Sequence, residues 1–363
     1  MRAYRIFALW TTAATYFLVF AGALVRVSGA GLGCPDWPKC FGRWIPPTSL
    51  DQLPAGIDPA TFNVTLAWIE YFNRLAGVTV GFLILGVALL ALRYFRKKPR
   101  VLYPSLAAAL LVAFQGWQGS QVVASGLEPY IVTIHMGLAL IIASLLIYAT
   151  LESFSVSSSP SSLAEFPKHT RLLVVWLWVV TILQIILGSQ VRQGLETAAR
   201  QNSHGTPNDW FSSIGVLDDL HVIFGVLAGL LMLYTGLAVL HTDGRTVIIR
   251  QTVWGLLVLV ILQALSGLVL LMSGLPALTD LYHLWFASLF LGLLLVLLGI
   301  VRRPRVLDSQ WQGSFRRLSA IVLAVVVIMG LVSWWVIDQA RDSTQPAQSV
   351  IGALLPSVQE GPS

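Results

Sequence analysis

Gln115–His135, reading QGWQGSQVVASGLEPYIVTIH, and Gln263–His283, reading QALSGLVLLMSGLPALTDLYH, are two versions of one pattern set 148 residues apart. Gln115 answers to Gln263, Gly119 to Gly267, Ser125-Gly126-Leu127 to Ser273-Gly274-Leu275, and His135 to His283. Upstream, the same offset carries Gly77 to Gly225, Gly81 to Gly229 and Asn73 to His221. Polar, metal-capable side chains recurring at matched places in apolar segments point to two copies of a four-helix unit. Each copy places such a residue on its second and fourth helices, and the first copy has an asparagine in place of one histidine.

Composition fixes the solvent. With 56% hydrophobic and 11% charged residues over 363 positions, too little polar surface exists for a water-soluble globule. Apolar stretches long enough to cross about 30 Å of hydrocarbon fall near 6–26, 67–92, 102–124, 131–151, 172–192, 217–240, 252–273 and 279–300. A ninth, from Leu318 to Ile337, ends in the interfacial pair Trp334-Trp335. The first run is too long for the core of a signal peptide and no small-residue cleavage site closes it.

The expected fold is therefore an all-α integral membrane protein. It has two tandem four-helix bundles in the same orientation, forming an eight-helix core, followed by a ninth helix. The first repeat takes 1–151, a serine-rich cytoplasmic linker 152–171, the second repeat 172–300, and a basic loop, the ninth helix and an external tail 301–363. Arg2, Arg5, the cluster Arg93, Arg96, Lys97, Lys98 and Arg100, and Lys168, Arg171, Arg245, Arg250, Arg302, Arg303, Arg305, Arg316 and Arg317 fall on one side. Positive residues accumulate on the cytoplasmic side, so the amino terminus is expected there, in a multi-pass inner (plasma) membrane protein. The same bias accounts for the pI near 9.5 without nucleic acid.

An even number of spans per repeat puts equivalent residues at one depth, so Asn73, His135, His221 and His283 should all lie in the external leaflet. Taken singly, a membrane histidine reads as a polar contact between helices. Two at matched depth, as with His221 and His283, suit the axial ligands of a haem iron, whereas zinc would want more ligands and a polar shell. Arg26 and Arg192 close the matched motifs Gly22-Ala23-Leu24-Val25-Arg26 and Gly188-Ser189-Gln190-Val191-Arg192. Their guanidinium groups suit haem propionates, or simple interfacial snorkelling. Gly77, Gly119, Gly225 and Gly267 would let a flat macrocycle, or a neighbouring helix, approach.

Glu70, Asp218 and Asp280 each precede Asn73, His221 and His283 by three residues and share a helical face with them. Asp218, Asp219 and Asp280 stand near helix starts, where capping is their expected work. Glu70 lies between Trp68-Ile69 and Tyr71-Phe72, surroundings that suit a proton-transfer carboxyl. The two cysteines, Cys34 and Cys40, lie in the first external loop and most simply form a disulfide, either a staple or a redox-active pair.

The run Gly22 to Gly42, GALVRVSGAGLGCPDWPKCFG, with Trp68 to Gly77, WIEYFNRLAG, the His135 span, Asp218-Asp219-Leu220-His221 and Tyr282-His283, resembles the haem A synthases over about residues 5–300. The resemblance implies an eight-helix membrane enzyme that oxidises a methyl group of haem O to the formyl group of haem A for terminal oxidases. It implies a resident haem b on His221 and His283, with Arg192 and Gln263 beside it. It also implies haem O as substrate in the first half, on His135 with Asn73, Arg74 and Arg26, and Glu70 as the proton-handling group. Haem O synthase and terminal oxidase assembly factors are the partners implied, besides membrane lipid; a homo-oligomer is left open. One departure stands out: the family's glutamate-x-x-histidine is here Glu70-x-x-Asn73, which leaves His135 as the first site's one nitrogen ligand. An electron-transfer cytochrome and a haem carrier are the alternative functions.

Overall fold

The computed structural model describes residues 1–156, 166–202, 205–242, 247–273, 276–302, 306–307 and 329–340. Eight of its helices are long and apolar enough to cross a membrane: α1 (Arg2–Val27), α2 (Val64–Tyr94), α3 (Pro99–Ala124), α4 (Pro129–Phe154), α5 (Lys168–Gln201), α7 (Val216–Leu240), α8 (Val247–Met272) and α9 (Ala277–Arg302). A short helix, α6 (Pro207–Ile214), lies between α5 and α7. The expected ninth span falls partly outside the described residues; of it, 329–337 lie in a helical stretch that runs to 340.

Local chemistry sets the helix ends. The Asn63 side chain accepts the Leu66 N–H at 3.1 Å and starts α2, and Pro99 and Pro207 occupy first-turn positions where their missing N–H costs nothing. At the end of α3, Leu127 N–H bonds Val122 O and Gly126 N–H bonds Val123 O, each at 3.0 Å, with Gly126 at φ 64°. That is a Schellman ending with its glycine in the left-handed position, and it accounts for the first Ser-Gly-Leu of the repeat.

α1 packs on α2 and α4, α2 on α3, and α3 on α4, closing a ring of four. α5 packs on α7 and α9, α7 on α8, and α8 on α9, closing another. Each ring has its own apolar centre: Tyr4, Ile84, Val87 and Leu146 in the first, Leu177, Met232, Leu256 and Leu294 in the second. α9 joins the rings by lying against α1 and α4. There Trp285 Nε1 donates to Tyr16 O at 3.1 Å, and Gly292 lets the Tyr16 hydroxyl in, since an added Cβ would sit 2.0 Å from it. Beyond the ends of α4 and α9, Ser155–Val156 and Val306–Leu307 pair as a two-residue antiparallel ladder. Side chains such as Phe82, Leu110, Trp254 and Ile261 stay exposed on the spans, as a lipid solvent requires.

Two expectations are corrected. α5 does not stop at Arg192: it continues two and a half turns to Gln201, because Leu195-Glu196-Thr197-Ala198-Ala199 is a strong helical sequence even after the apolar run has ended. Arg192 therefore stands inside the helix rather than at its mouth. Asp280 does not spend its carboxylate on capping; its Oδ2 pairs with Arg192 Nη1.

Candidate haem site

All four positions singled out by the repeat lie in the early turns of their helices, at one end of the molecule: Asn73 in α2, His135 in α4, His221 in α7 and His283 in α9. In the second ring the His221 and His283 rings stand 6.4 Å apart between centroids, tilted by 71°. Two imidazoles bound through one metal, with metal–nitrogen bonds of about 2 Å on either side and roughly 1.1 Å from nitrogen to ring centre, span about 6.3 Å. The spacing fits a single iron between them. Among the described residues no three His, Cys, Asp or Glu side chains gather into a metal cage. A porphyrin, which brings four nitrogens of its own and asks the protein only for axial ligands, suits such a donor set.

The ring nitrogens have specific partners. His135 Nδ1 meets Gln118 Oε1 at 2.6 Å, while Gln118 Nε2 donates to Ile131 O at 2.9 Å and so fixes which way the amide points. Nδ1 must then carry the proton, and Nε2 keeps its lone pair for a metal. His283 repeats the arrangement through Ser266, whose hydroxyl donates to Gln263 O at 3.0 Å and accepts from His283 Nδ1 at 3.0 Å. Gln118 and Ser266 are themselves separated by the repeat offset. Gln263 Nε2 donates to His283 Nε2 at 3.0 Å, whereas its counterpart Gln115 donates to the His135 backbone oxygen and leaves the ring clear. For His221, Gln184 Nε2 bridges Nδ1 at 3.0 Å and the backbone oxygen at 2.7 Å, and Gln184 Oε1 is buried without a partner.

Glycines seat these rings. A Cβ at Gly188 would lie 2.7 Å from His221 Cε1, at Gly267 3.2 Å from His283 Cε1, and at Gly119 3.4 Å from His135 Cε1. Gly225 admits the Gln184 amide, and Gly77 faces open space.

Glu70 is buried, and both of its oxygens are engaged: Oε1 by Arg74, Oε2 by the Cys34 N–H at 2.7 Å. Arg74 in turn donates to the Asp36, Lys39 and Cys34 backbone oxygens at 2.7, 2.8 and 3.0 Å. Cys34 and Cys40 form the disulfide. Their loop lies so close on α2 that any side chain at Gly33 would collide with the Leu66 carbonyl, 2.3 Å from a Cβ. Glu70 and Arg74 thus bind the disulfide loop to the first ring.

Arg26 and Arg192 converge on a carboxylate that the sequence reading missed. Arg26 grips Glu196 with Nε at 3.0 Å and Nη2 at 3.1 Å, and Arg192 Nε reaches the same carboxylate at 2.9 Å. Arg26 Nη1 also lies 3.3 Å from the sulfur of Met136, the residue after His135, while Arg192 reaches Asp280, one turn before His283. Glu196 could have been found from its i,i+4 spacing to Arg192, had the helix been extended past it.

A family model described as cytochrome oxidase assembly protein, COX15-CtaA, matches residues 5–295. The heme A synthase of Shouchella clausii is 26% identical over 303 residues, covering 81% of this chain and 96% of that protein. The heme A synthase of Bacillus licheniformis is 26% identical over 304 residues, covering 81% and 95%. That of Shewanella oneidensis is 30% identical over 209 residues, covering 56% and 61%. With its eight spans, its two rings and its matched histidines, this chain belongs to the COX15-CtaA family of cytochrome oxidase assembly proteins.

Proposed function

We propose that the protein is a haem A synthase, oxidising one methyl group of haem O to the formyl group of haem A for a terminal oxidase. The observation that carries the reading is the 6.4 Å approach of His221 and His283, the separation of two imidazoles on one haem iron. In this reading they hold a haem b in the second ring, which when bound supplies one-electron transfer. His135 holds the iron of the substrate haem O in the first ring. Gln184 Nε2, donating to both the His221 backbone oxygen and Nδ1, holds that ring in its place. Gln263, which bonds His283 Nε2 directly, gives way to iron there.

Arg26 and Arg192 supply donors for propionates in place of the Glu196 carboxylate they hold. Glu70 exchanges a proton beside the methyl being oxidised, and Arg74 holds its carboxylate in place. Two successive hydroxylations of the same methyl, each taking one oxygen atom from dioxygen while two electrons and two protons reduce the other to water, give a hydrated aldehyde, which loses water to the formyl group. In this reading the amino terminus is cytoplasmic, supported by the positive residues of the 93–100 loop and its counterparts, and the disulfide lies on the external face of the inner membrane. In the same reading both haems lie in the external leaflet.

Haem extracted after co-expression with a haem O source tests the reaction. Haem A, or the alcohol that precedes it, supports the synthase; unchanged haem O bound to the protein makes it a carrier. Glu70→Gln keeps an acceptor for the Cys34 N–H and removes the exchangeable proton. That variant is expected to bind haem but to lower haem A yield at least tenfold, the lower part of what general acid–base catalysis contributes being about a hundredfold. Wild-type yield removes Glu70 from the reaction.

A further inference from the structure

Three matched glycine pairs differ in what stands before them. A Cβ added at Gly188, Gly225 or Gly229 would meet His221 at 2.7 Å, the Gln184 amide at 3.1 Å or Val260 at 3.5 Å. At their counterparts Gly22, Gly77 and Gly81 it would meet nothing within 4 Å. The second ring has side chains close beside Gly188, Gly225 and Gly229, and the first has none beside Gly77 and Gly81 or beside the exposed Gly22. Asn73 occupies the position of His221 in the repeat with a shorter side chain, and its buried Oδ1 finds no partner. On the other side of that ring, His135 has its Nδ1 proton committed to Gln118 and its Nε2 lone pair available.

We propose that the first ring holds haem iron from the His135 side only, and that the opposite face of the iron, beside the Asn73 amide, is a binding site for a small diatomic ligand. The proposal rests on the haem reading above. A neutral carboxamide is a poor ligand for ferrous or ferric haem, so Asn73 leaves the sixth position to an exogenous group. The same amide offers a donor and an acceptor to whatever binds there. The short bond from Gln118 strengthens His135 as an electron donor to the iron, which favours a diatomic opposite it. In the second ring both axial positions go to imidazoles, and no such ligand enters.

The test uses the full chain, purified in detergent with haem in both rings, reduced and exposed to carbon monoxide. One of the two haems should shift its Soret band and the other should not. His135→Ala should remove the responsive haem alone. Asn73→His restores the imidazole that the repeat places there, and should turn that haem low-spin and weaken its carbon monoxide affinity at least about tenfold, a change of about 1.4 kcal/mol. Two bound haems with no response to carbon monoxide, or an Asn73→His variant that binds it as well as wild type, overturns the proposal and leaves the haem reading standing. A preparation with no Soret band at all overturns both.

Discussion

Across the second ring two imidazoles stand 6.4 Å apart with glycines cut away behind them, whereas the matching corner of the first ring has one imidazole, one amide and open space. Both are built on the same helices in the same order, so the fold does not decide between them; the residues at two positions do. Histidine at 221 faces His283 across the second ring, 6.4 Å between ring centres. Asparagine at 73 leaves His135 as the one imidazole at that corner of the first ring. On the proposed reading, a duplicated bundle keeps one copy as a resident electron-transfer site and frees the other for a passing substrate, with no change in architecture.

The comparison breaks most readily at the glycines. An alanine at 188 would place a Cβ 2.7 Å from His221 Cε1. Alanine in a helix is otherwise worth about 1 kcal/mol over glycine, so a loss of haem from Gly188→Ala must come from the displaced ring. The second-ring haem should fall at least about tenfold in affinity, as when a ligand's support is removed. Gly22→Ala, the same change in the matched motif, meets nothing within 4 Å and should bind haem as wild type does. Titration with haem, followed at the Soret band, separates them; equal behaviour would mean that Gly188 does not set the His221 ring.

Much of this was legible in the residues. Eight spans, the disulfide, the matched depth of the histidines and the asparagine at 73 all follow from hydropathy and one offset, because each is marked by residue identity. What identity did not mark was missed. Gln118 and Ser266 occupy equivalent positions and do the same work at Nδ1, but a glutamine and a serine do not register as a match. Glu196 was hidden because a span was ended where the apolar run ends, while the helix, held by its own propensity, runs on to Gln201. Glycine identity does not show what it makes room for: Gly119 and Gly267, which suit a macrocycle or a neighbouring helix, make room for His135 and His283, as Gly188 does for His221.

Gln118 and Ser266 sharpen the comparison in a second way. The carbonyl of Gln118 meets His135 at 2.6 Å, the hydroxyl of Ser266 meets His283 at 3.0 Å, and the shorter bond to the stronger acceptor orients its ring more firmly. Gln118→Leu is expected to weaken first-ring haem binding by about 10- to 100-fold, the usual cost of losing a partner behind a ligating histidine. Ser266→Ala should cost less, because His221 still holds the iron from the other side. Measured on separately reconstituted rings, a larger loss for Ser266→Ala would mean that the two histidines are not supported alike.

The smallest effect concerns what covers each ring. A covalent link, Cys34 to Cys40, closes the loop over the first, and acidification does not open it. α6, beside the second ring's α5 and α7, starts instead with a capping box in which Asp209 Oδ2 accepts the Thr206 N–H at 2.7 Å. That bond holds the Asp209 carboxyl below its ordinary range. A carboxyl lowered in the folded state contributes stability above its unfolded pKa and loses it as pH falls through the folded value. Protection of the α6 amides, measured against their intrinsic exchange rates, should therefore hold through mildly acidic pH and fall only below the ordinary carboxylate range. Thr206→Ala should lower that protection at every pH by the equivalent of about 1 kcal/mol, without touching the loop of the first ring. If α6 protection falls as early as in that variant, the box does not hold the helix, and the two covers differ only in their covalent bond.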